Sequence, residues 1–249
     1  MRYQAIVSYD GSNYAGYQIQ PDRVTIQAVI ERALEKMHQG RPVKITASGR
    51  TDAGVHAHRQ VFHFDSELVI PESNWKKALN SLLPDDIVIL KVKETTPSFH
   101  ARYDAIKKTY QYVILNSDDP SPFEANYSTY MPIKLDISLI NQACADLIGE
   151  HDFTAFCAAN SYVKGDKIRT IYEANCTKDK DKLILSFTGN GFLYNMVRII
   201  VGTLIEIGQG KRPVTDIQRI ISSKDRSQAG KTAPAQGLYL NHVEYEAEK

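Results

Sequence analysis

One run of nine residues has the composition of a reactive loop: Gly49-Arg50-Thr51-Asp52-Ala53-Gly54-Val55-His56-Ala57. It places a carboxylate two residues after a guanidinium, between glycines that relax the limits on backbone conformation. The run falls between two strand-like segments, where a rigid scaffold can present a polar loop, Ser48 to His58. Two readings are open on this pattern alone. Asp52 is either a reactive carboxylate or a turn residue that accepts a backbone N–H. A carboxylate acts as general base or nucleophile only while ionised. Burial works against that state, and a nearby cation restores it. Arg198 is a cation in an unexpected place. It interrupts the longest apolar stretch of the chain, around Met196 to Ile207, and an arginine in so apolar a helix is rarely buried without a partner.

Other chemistry-bearing groups are more scattered. His56 and His58 form an H-x-H pair, and residues at strand spacing can point to one face. With His63 and Asp52 near in sequence, they raise a metal-dependent hydrolase as a rival. No H-E-x-x-H signature or second carboxylate pair accompanies them. Cys144, Cys157 and Cys176 lie far apart without C-x-x-C spacing, which points to reduced thiols in the cytoplasm and away from a zinc cage. Gly189-Asn190-Gly191 is a lone G-x-G that reads as a turn, without the third glycine or the lysine of a nucleotide-binding loop. Lys and Arg number 30 against 29 Asp and Glu, so net charge gives no support by itself for a nucleic-acid partner. Basic clusters do occur, at Lys107-Lys108, at Lys211-Arg212, and at Lys224, Arg226 and Lys231. Each is either solvated surface or part of a face for a polyanion.

These groups need a scaffold, and the chain can build one. Its 249 residues, 43% hydrophobic and 24% charged, suit one large soluble domain or two smaller ones. No apolar run approaches the roughly 20 residues of a membrane span. The N-terminus enters a strand pattern at once and lacks the apolar core of a signal peptide. Arg2 to Asp10 alternates as a strand, and Asp10-Gly11-Ser12-Asn13 is a turn. Thr25 to Met37 is the clearest helix, with Ile26, Val29, Ile30, Ala33, Leu34 and Met37 at helical spacing, Thr25 as cap and Gly40 beyond its end. Val43 to Ala47 and Gln60 to Phe64 are short strands. A second helix follows Ser73, carrying Trp75, Leu79 and Leu82, and stops at Pro84. Strands are expected at Ile87 to Lys93 and Thr109 to Leu115. Asp118-Asp119-Pro120-Ser121-Pro122 then breaks the chain and offers a domain connection. An amphipathic helix, Ile137 to Ile148, is followed by paired strands at Ile171 to Cys176 and Leu183 to Thr188. A long buried helix spans Phe192 to Ile207, with a short helix at Asp216 to Ile221 and a last strand at Gly237 to Tyr245. The order predicts an α+β fold: two similar halves, sharing a mostly antiparallel sheet flanked by helices. A cleft between such halves is a natural ligand site.

The nine-residue run resembles the signature loop of the tRNA pseudouridine synthase A family. More segments resemble that family's blocks, in its order: Phe99-His100-Ala101-Arg102-Tyr103-Asp104-Ala105, Tyr110-Gln111-Tyr112, Gly191-Phe192-Leu193-Tyr194-Asn195-Met196-Val197-Arg198, and Ala233-Pro234-Ala235-Gln236-Gly237-Leu238-Tyr239-Leu240. The likeness spans nearly the whole chain. It implies the pseudouridine synthase fold, with residues 1–105 carrying the aspartate loop and residues 106–249 carrying the tyrosine strand and the arginine helix.

The resemblance also implies a reaction and its residues. Uridine becomes pseudouridine in the tRNA anticodon stem-loop, at tRNA positions 38, 39 and 40, by a homodimer that embraces the RNA. Asp52 is the implied catalytic carboxylate and Arg198 the cation that pairs with it. Tyr110 stacks on the target base, where otherwise it reads as an ordinary core tyrosine. Leu238 lines the pocket. Arg50 fills the space of the flipped nucleotide, a step that costs a few kcal/mol. The isomerisation involves no redox change and no net hydrolysis, so no cofactor is required, and the resemblance implies no metal site. Lys107, Lys108, Lys211 and Arg212 are candidates for a basic groove. Thr109 departs from the family, which often has a basic residue there. A non-catalytic RNA-binding module stays open as the alternative.

Overall fold

The computed structural model describes residues 1–159 and 165–246. They form two compact units, Met1–Ile106 with Tyr239–Lys249, and Lys107–Leu238.

The first unit comprises β1 (Arg2–Tyr9), α1 (Ile26–Met37), β2 (Ile45–Ala47), β3 (His56–Asp65), α2 (Glu72–Leu82), β4 (Ile87–Thr95) and the chain's last strand, β10 (Leu238–Tyr245). The strand order is β4-β1-β3-β10, with β2 also paired to β3. β1 is antiparallel to both neighbours, Ile6 facing Val61 and Ala5 facing Val92, while β10 joins β3 in parallel with Tyr239 opposite His56. Tyr3, Ala5, Val7 and Tyr9 of β1 are all buried, which is the period of a strand with one covered face. Thr25 caps α1 by accepting the Ala28 N–H, and Ile26, Ile30, Ala33 and Leu34 turn inward. Trp75 of α2 meets Phe64 and Tyr3 at ring separations of 5.2 and 5.0 Å. α2 begins one residue before Ser73 with Pro71 at its cap, and Leu82 stays 39% exposed and so outside the core.

The second unit comprises β5 (Ala105–Leu115), β6 (Thr129–Tyr130), α3 (Ile137–Ala145), β7 (Gly149–Asp152), β8 (Ile168–Asp179), β9 (Lys182–Gly189), α4 (Met196–Gly208) and α5 (Asp216–Ser223). Its strands run β5-β9-β8-β7, antiparallel throughout, and β6 lies parallel beside β5. Tyr112, Ile114, Leu183, Leu185 and Phe187 bury one face of this sheet. The Pro-containing segment 118–122 lies inside this unit. Ile140, Ala143, Cys144 and Leu147 are buried together, as their spacing predicts. All three cysteines are free and buried, and burial pushes the Cys144 and Cys176 thiols up to about 12 and about 11.

Several boundaries differ from the sequence expectation: β5 starts at Ala105 and not at Thr109, α3 ends at Ala145 and not at Ile148, and β8 extends from Ile168 to Asp179. β3 starts at His56, so the H-x-H pair sits in a strand and not in the polar loop. The long helix starts at Met196, four residues late, because Asn195 has φ 59° and this left-handed conformation cannot continue into a helix. Among the described residues, no helix is long and apolar enough to cross a membrane.

Candidate active site

In the first unit, Asp52 stands half-buried in a turn whose main chain is fixed from both sides. The turn closes through backbone, Val55 N–H donating to the Asp52 carbonyl at 3.1 Å, with Gly54 at φ 77°. Beneath it runs the segment after β1. Tyr17 N–H donates to the Thr51 carbonyl at 3.0 Å, and the Tyr9 and Thr51 hydroxyls meet at 2.8 Å in the interior. Gly16 makes this approach possible. Its φ is +98°, and a Cβ there would lie 2.9 Å from the Thr51 carbonyl oxygen. On the other side, the Gln60 amide donates to the Gly49 carbonyl at 3.0 Å. Thr51 and Val55 are therefore buried anchors, Asp52 lies between them, and Arg50 is exposed.

The second unit holds Arg198 with equal care. Arg198 is half-buried in the first turn of α4, between the buried Val197 and Ile199. Its Nε donates to the Ala233 carbonyl at 2.7 Å, and its own carbonyl accepts the Ala233 N–H at 3.0 Å. Its Nη1 donates to Asn195 Oδ1 at 2.9 Å. Arg198 is thus no free surface arginine. Tyr110 is half-buried on β5, and its ring meets Phe192 edge to face at 5.2 Å. Tyr112 is wholly buried, and its hydroxyl donates to the Pro234 carbonyl at 2.8 Å and meets Thr129 Oγ1 at 2.6 Å. Leu238 is buried and opens β10.

Asn195 was missed by sequence reasoning, although its residue type carries a signal. Asparagine tolerates the left-handed region better than most residues, so an asparagine within an apolar helical pattern can mark a late helix start. Two variants separate its backbone role from its side-chain role. Asn195→Gly retains the conformation and loses the acceptor, whereas Asn195→Ala loses both. Both lose a hydrogen bond to a charged group, worth about 1.5–3 kcal/mol, so both should melt below wild type, with slower turnover where that bond positions Arg198. Asn195→Ala should melt lower than Asn195→Gly, by the further ~1–2 kcal/mol of left-handed strain. Thermal melts beside steady-state rates check this, and equal melts for the two variants would count against it.

The block after β4 forms a tight turn on His63. Its Nδ1 accepts the Ala101 N–H at 3.1 Å, which requires the neutral ring. Burial first, then the charges of Arg2 and His100, hold its pKa down from 6.5 to about 4, while Asp65 and Asp104 oppose them. Phe99 and His100 also face the ring. The sign follows from proton binding: the unfolded chain protonates His63 below 6.5 and the folded one only near 4. Stability from this group is therefore complete above pH 6.5 and falls as pH drops from 6.5 towards 4. Denaturant midpoints across that range should show the slope, and His63→Asn, which keeps an acceptor and cannot titrate, should flatten it.

The remaining expected residues divide between structure and surface. His56 Nδ1 accepts the Gly11 N–H at 3.1 Å, and the rings of His56 and His58 both stack with Tyr239, at 4.7 and 4.9 Å. Among the described residues, no group of three or more His, Cys, Asp or Glu is placed to hold a metal ion. The Gly189-Asn190-Gly191 turn is tied to β8 by Asn190 Oδ1, which accepts the Thr170 N–H at 3.0 Å. Arg212 is bonded to Glu206, Asp216 and the Gln228 carbonyl, which reads as structural. Lys211 is exposed at the rim of an 830 Å³ cavity beside α4, and the Lys107 ammonium lies 5.7 Å from the Tyr172 ring centroid. Lys108 is half-buried on β5.

Known proteins resemble the chain over nearly its full length. The family model described as tRNA pseudouridine synthase matches residues 5–104 and 143–246. Asp52 falls in the first range, Arg198 and Leu238 in the second, and Tyr110 between them. The chain is 53% identical over 245 residues to tRNA pseudouridine synthase A of Oceanobacillus iheyensis, covering 98% of this chain and 97% of that one. It is 51% identical over 245 residues to tRNA pseudouridine synthase A of a Geobacillus species, covering 98% of each chain. The same protein of Listeria innocua is 51% identical over 247 residues, covering 98% of this chain and 99% of that one. A chain in the crystal structure of a Cbf5-Nop10-Gar1 complex aligns with 81% of this chain and 54% of its own length, at 13% identity and a TM-score of 0.36, too distant to argue from.

Proposed function

Because the chain belongs to the tRNA pseudouridine synthase family, we propose that it converts uridine to pseudouridine in the anticodon stem-loop of tRNA, at tRNA positions 38, 39 and 40, with Asp52 as catalytic carboxylate. The observation that carries this reading is the Asp52 turn, a half-buried carboxylate on a backbone bonded from two sides. Such a loop spends no reorganisation when substrate arrives.

The reaction breaks the C1′–N1 bond, turns the uracil, and forms C5–C1′. The proton lost from C5 is balanced by one gained at N1. An ionised Asp52 can add to C1′, add to the base, or take a sugar proton to give a glycal, and each route needs the anion. In the proposal, Arg198 pairs with Asp52 and keeps it ionised. Its bonds to Asn195 and Ala233 support that role by fixing the guanidinium before substrate binds. Tyr110 stacks on the flipped uracil, an interaction worth about 1–3 kcal/mol, and Leu238 forms the wall beside it. Arg50, exposed two residues before Asp52, enters the gap left by the flipped base. The enzyme acts in the cytoplasm as a homodimer, with no cofactor.

Tritium release from tRNA labelled at uracil C5, with chelator present, tests the reading. Release by the wild type and none by Asp52→Ala supports it. Tight tRNA binding without release by either protein would favour a binding module instead.

A further inference from the structure

The turn between β4 and β5 presents an aromatic ring to solvent on a fixed base. Tyr103 is 75% exposed, and its ring stacks on His100 at 4.2 Å and 28°. The Arg102 guanidinium lies 5.7 Å from the same ring. The backbone below is bonded step by step. Arg2 donates to the Phe99 carbonyl at 3.0 Å, and the Tyr245 hydroxyl donates to the Ala101 carbonyl at 2.7 Å. The Ala101 N–H reaches His63, and the N–H groups of Arg102 and Tyr103 both point to His100 Nδ1, at 3.2 and 3.3 Å. Asp104 turns back to accept the His100 N–H at 2.8 Å. Arg102 makes no ion pair among the described residues and stands exposed beside Tyr103, while the exposed Asp104 carboxylate is engaged by the His100 N–H.

A surface turn held this firmly, with its largest apolar side chain outside, is not explained by packing. A protein-docking patch would extend the apolar surface, but the residues flanking Tyr103 are Arg102 and Asp104. A flat ring beside an unpaired guanidinium suits a nucleobase and its phosphate. Because the ring is already ordered, stacking costs little entropy. β3 runs from the Asp52 loop at His56 to the turn's anchor at His63, about 23 Å at the rise of a strand. A tRNA arm can span that distance.

We propose that Arg102 and Tyr103 form an RNA-contact platform outside the reacting nucleotide: Tyr103 stacks on an unpaired or terminal base of the tRNA, and Arg102 donates to an adjacent phosphate. The proposal rests on the reading that the substrate is tRNA. Tyr103→Ala, Tyr103→Phe and Arg102→Ala would be compared with wild type for tRNA binding, KM, kcat and melting temperature. Tyr103→Ala should raise Kd and KM roughly tenfold with kcat at saturation and melting temperature unchanged, and Tyr103→Phe should behave as wild type. Arg102→Ala should lower the slope of log Kd against log salt by about one phosphate contact. A wild type that turns tRNA over, beside a Tyr103→Ala variant with the same Kd and KM, overturns the platform alone. A wild type that neither binds nor converts tRNA overturns the platform together with the function it rests on.

Discussion

Asp52→Asn is expected to lower single-turnover pseudouridine formation by roughly 10³-fold or more, while tRNA affinity stays within about tenfold. The two halves of that expectation come from different parts of the turn. Asparagine matches aspartate in size, and the turn keeps its bonds through the Thr51 carbonyl and hydroxyl, the Gly49 carbonyl and the main chain of Asp52. None of these is altered by replacing the carboxylate, so the loop should keep its shape and the tRNA its surface. What is lost is the anion, which every chemical route open to this site requires. Quench-flow turnover and filter binding on the same preparation check both halves. Wild-type turnover in Asp52→Asn would end the mechanism. Loss of binding equal to loss of turnover would show that Asp52 holds the RNA instead of acting on it.

Local patterns located most elements because their signals are local. α1 carries its cap and its apolar stripe within thirteen residues, Thr25 to Met37, and both appear in the structure. β8 and β9 pair across a short turn, so neighbouring sequence sets their register, Cys176 opposite Leu185. At β3 the local pattern falls short of the strand for the opposite reason. His56 to His58 is polar and histidine-rich, and the strand there is completed by partners distant in the chain, β1 at Tyr9 and β10 at Tyr239. No window around residue 56 contains those hydrogen bonds. At α4 the apolar spacing continues back through Phe192 and Leu193, four residues before the helix, while the single backbone angle at Asn195 sets its start.

The candidate residues were legible as a motif, whereas the atoms that hold them were not. Asp52 and Arg50 stand in one run, but their support comes from Tyr9, Gly16, Tyr17 and Gln60. Arg198 stood out as a cation in an apolar helix. Its acceptor at Ala233 lies 35 positions further on and is a main-chain carbonyl, which any residue type would supply. Side-chain chemistry leaves a trace in sequence, and backbone chemistry of this kind does not, except where it forces a glycine.

Gly202 is such a glycine, and Gly202→Ala is the second substitution expected to have a large effect. Helix propensity alone argues for a gain, since alanine is favoured over glycine by about 1 kcal/mol in a helix interior. Packing argues the other way and is stronger. A Cβ at this position would lie 1.7 Å from the Lys231 carbonyl oxygen and 2.9 Å from its carbon. Both are backbone atoms, so no side-chain rotation relieves the contact. From the facing segment, Gly230 also approaches closely, a Cβ there meeting Thr203 N at 2.7 Å. Helix and segment must therefore separate. Overpacking of this kind costs about 1–3 kcal/mol and occasionally more, enough to exceed the propensity gain. Separation also strains the Arg198–Ala233 clasp, which lies one turn away on the same helix and the same segment. Gly202→Ala should thus unfold at lower denaturant, and it should lose turnover even at temperatures where it stays folded. Denaturation midpoints read beside rates measured well below the melting temperature test both effects. A lowered midpoint with wild-type turnover would show that the clasp serves stability alone. A wild-type midpoint would mean that the helix and the segment adjust without cost, and that the close approach at Gly202 does not position Arg198.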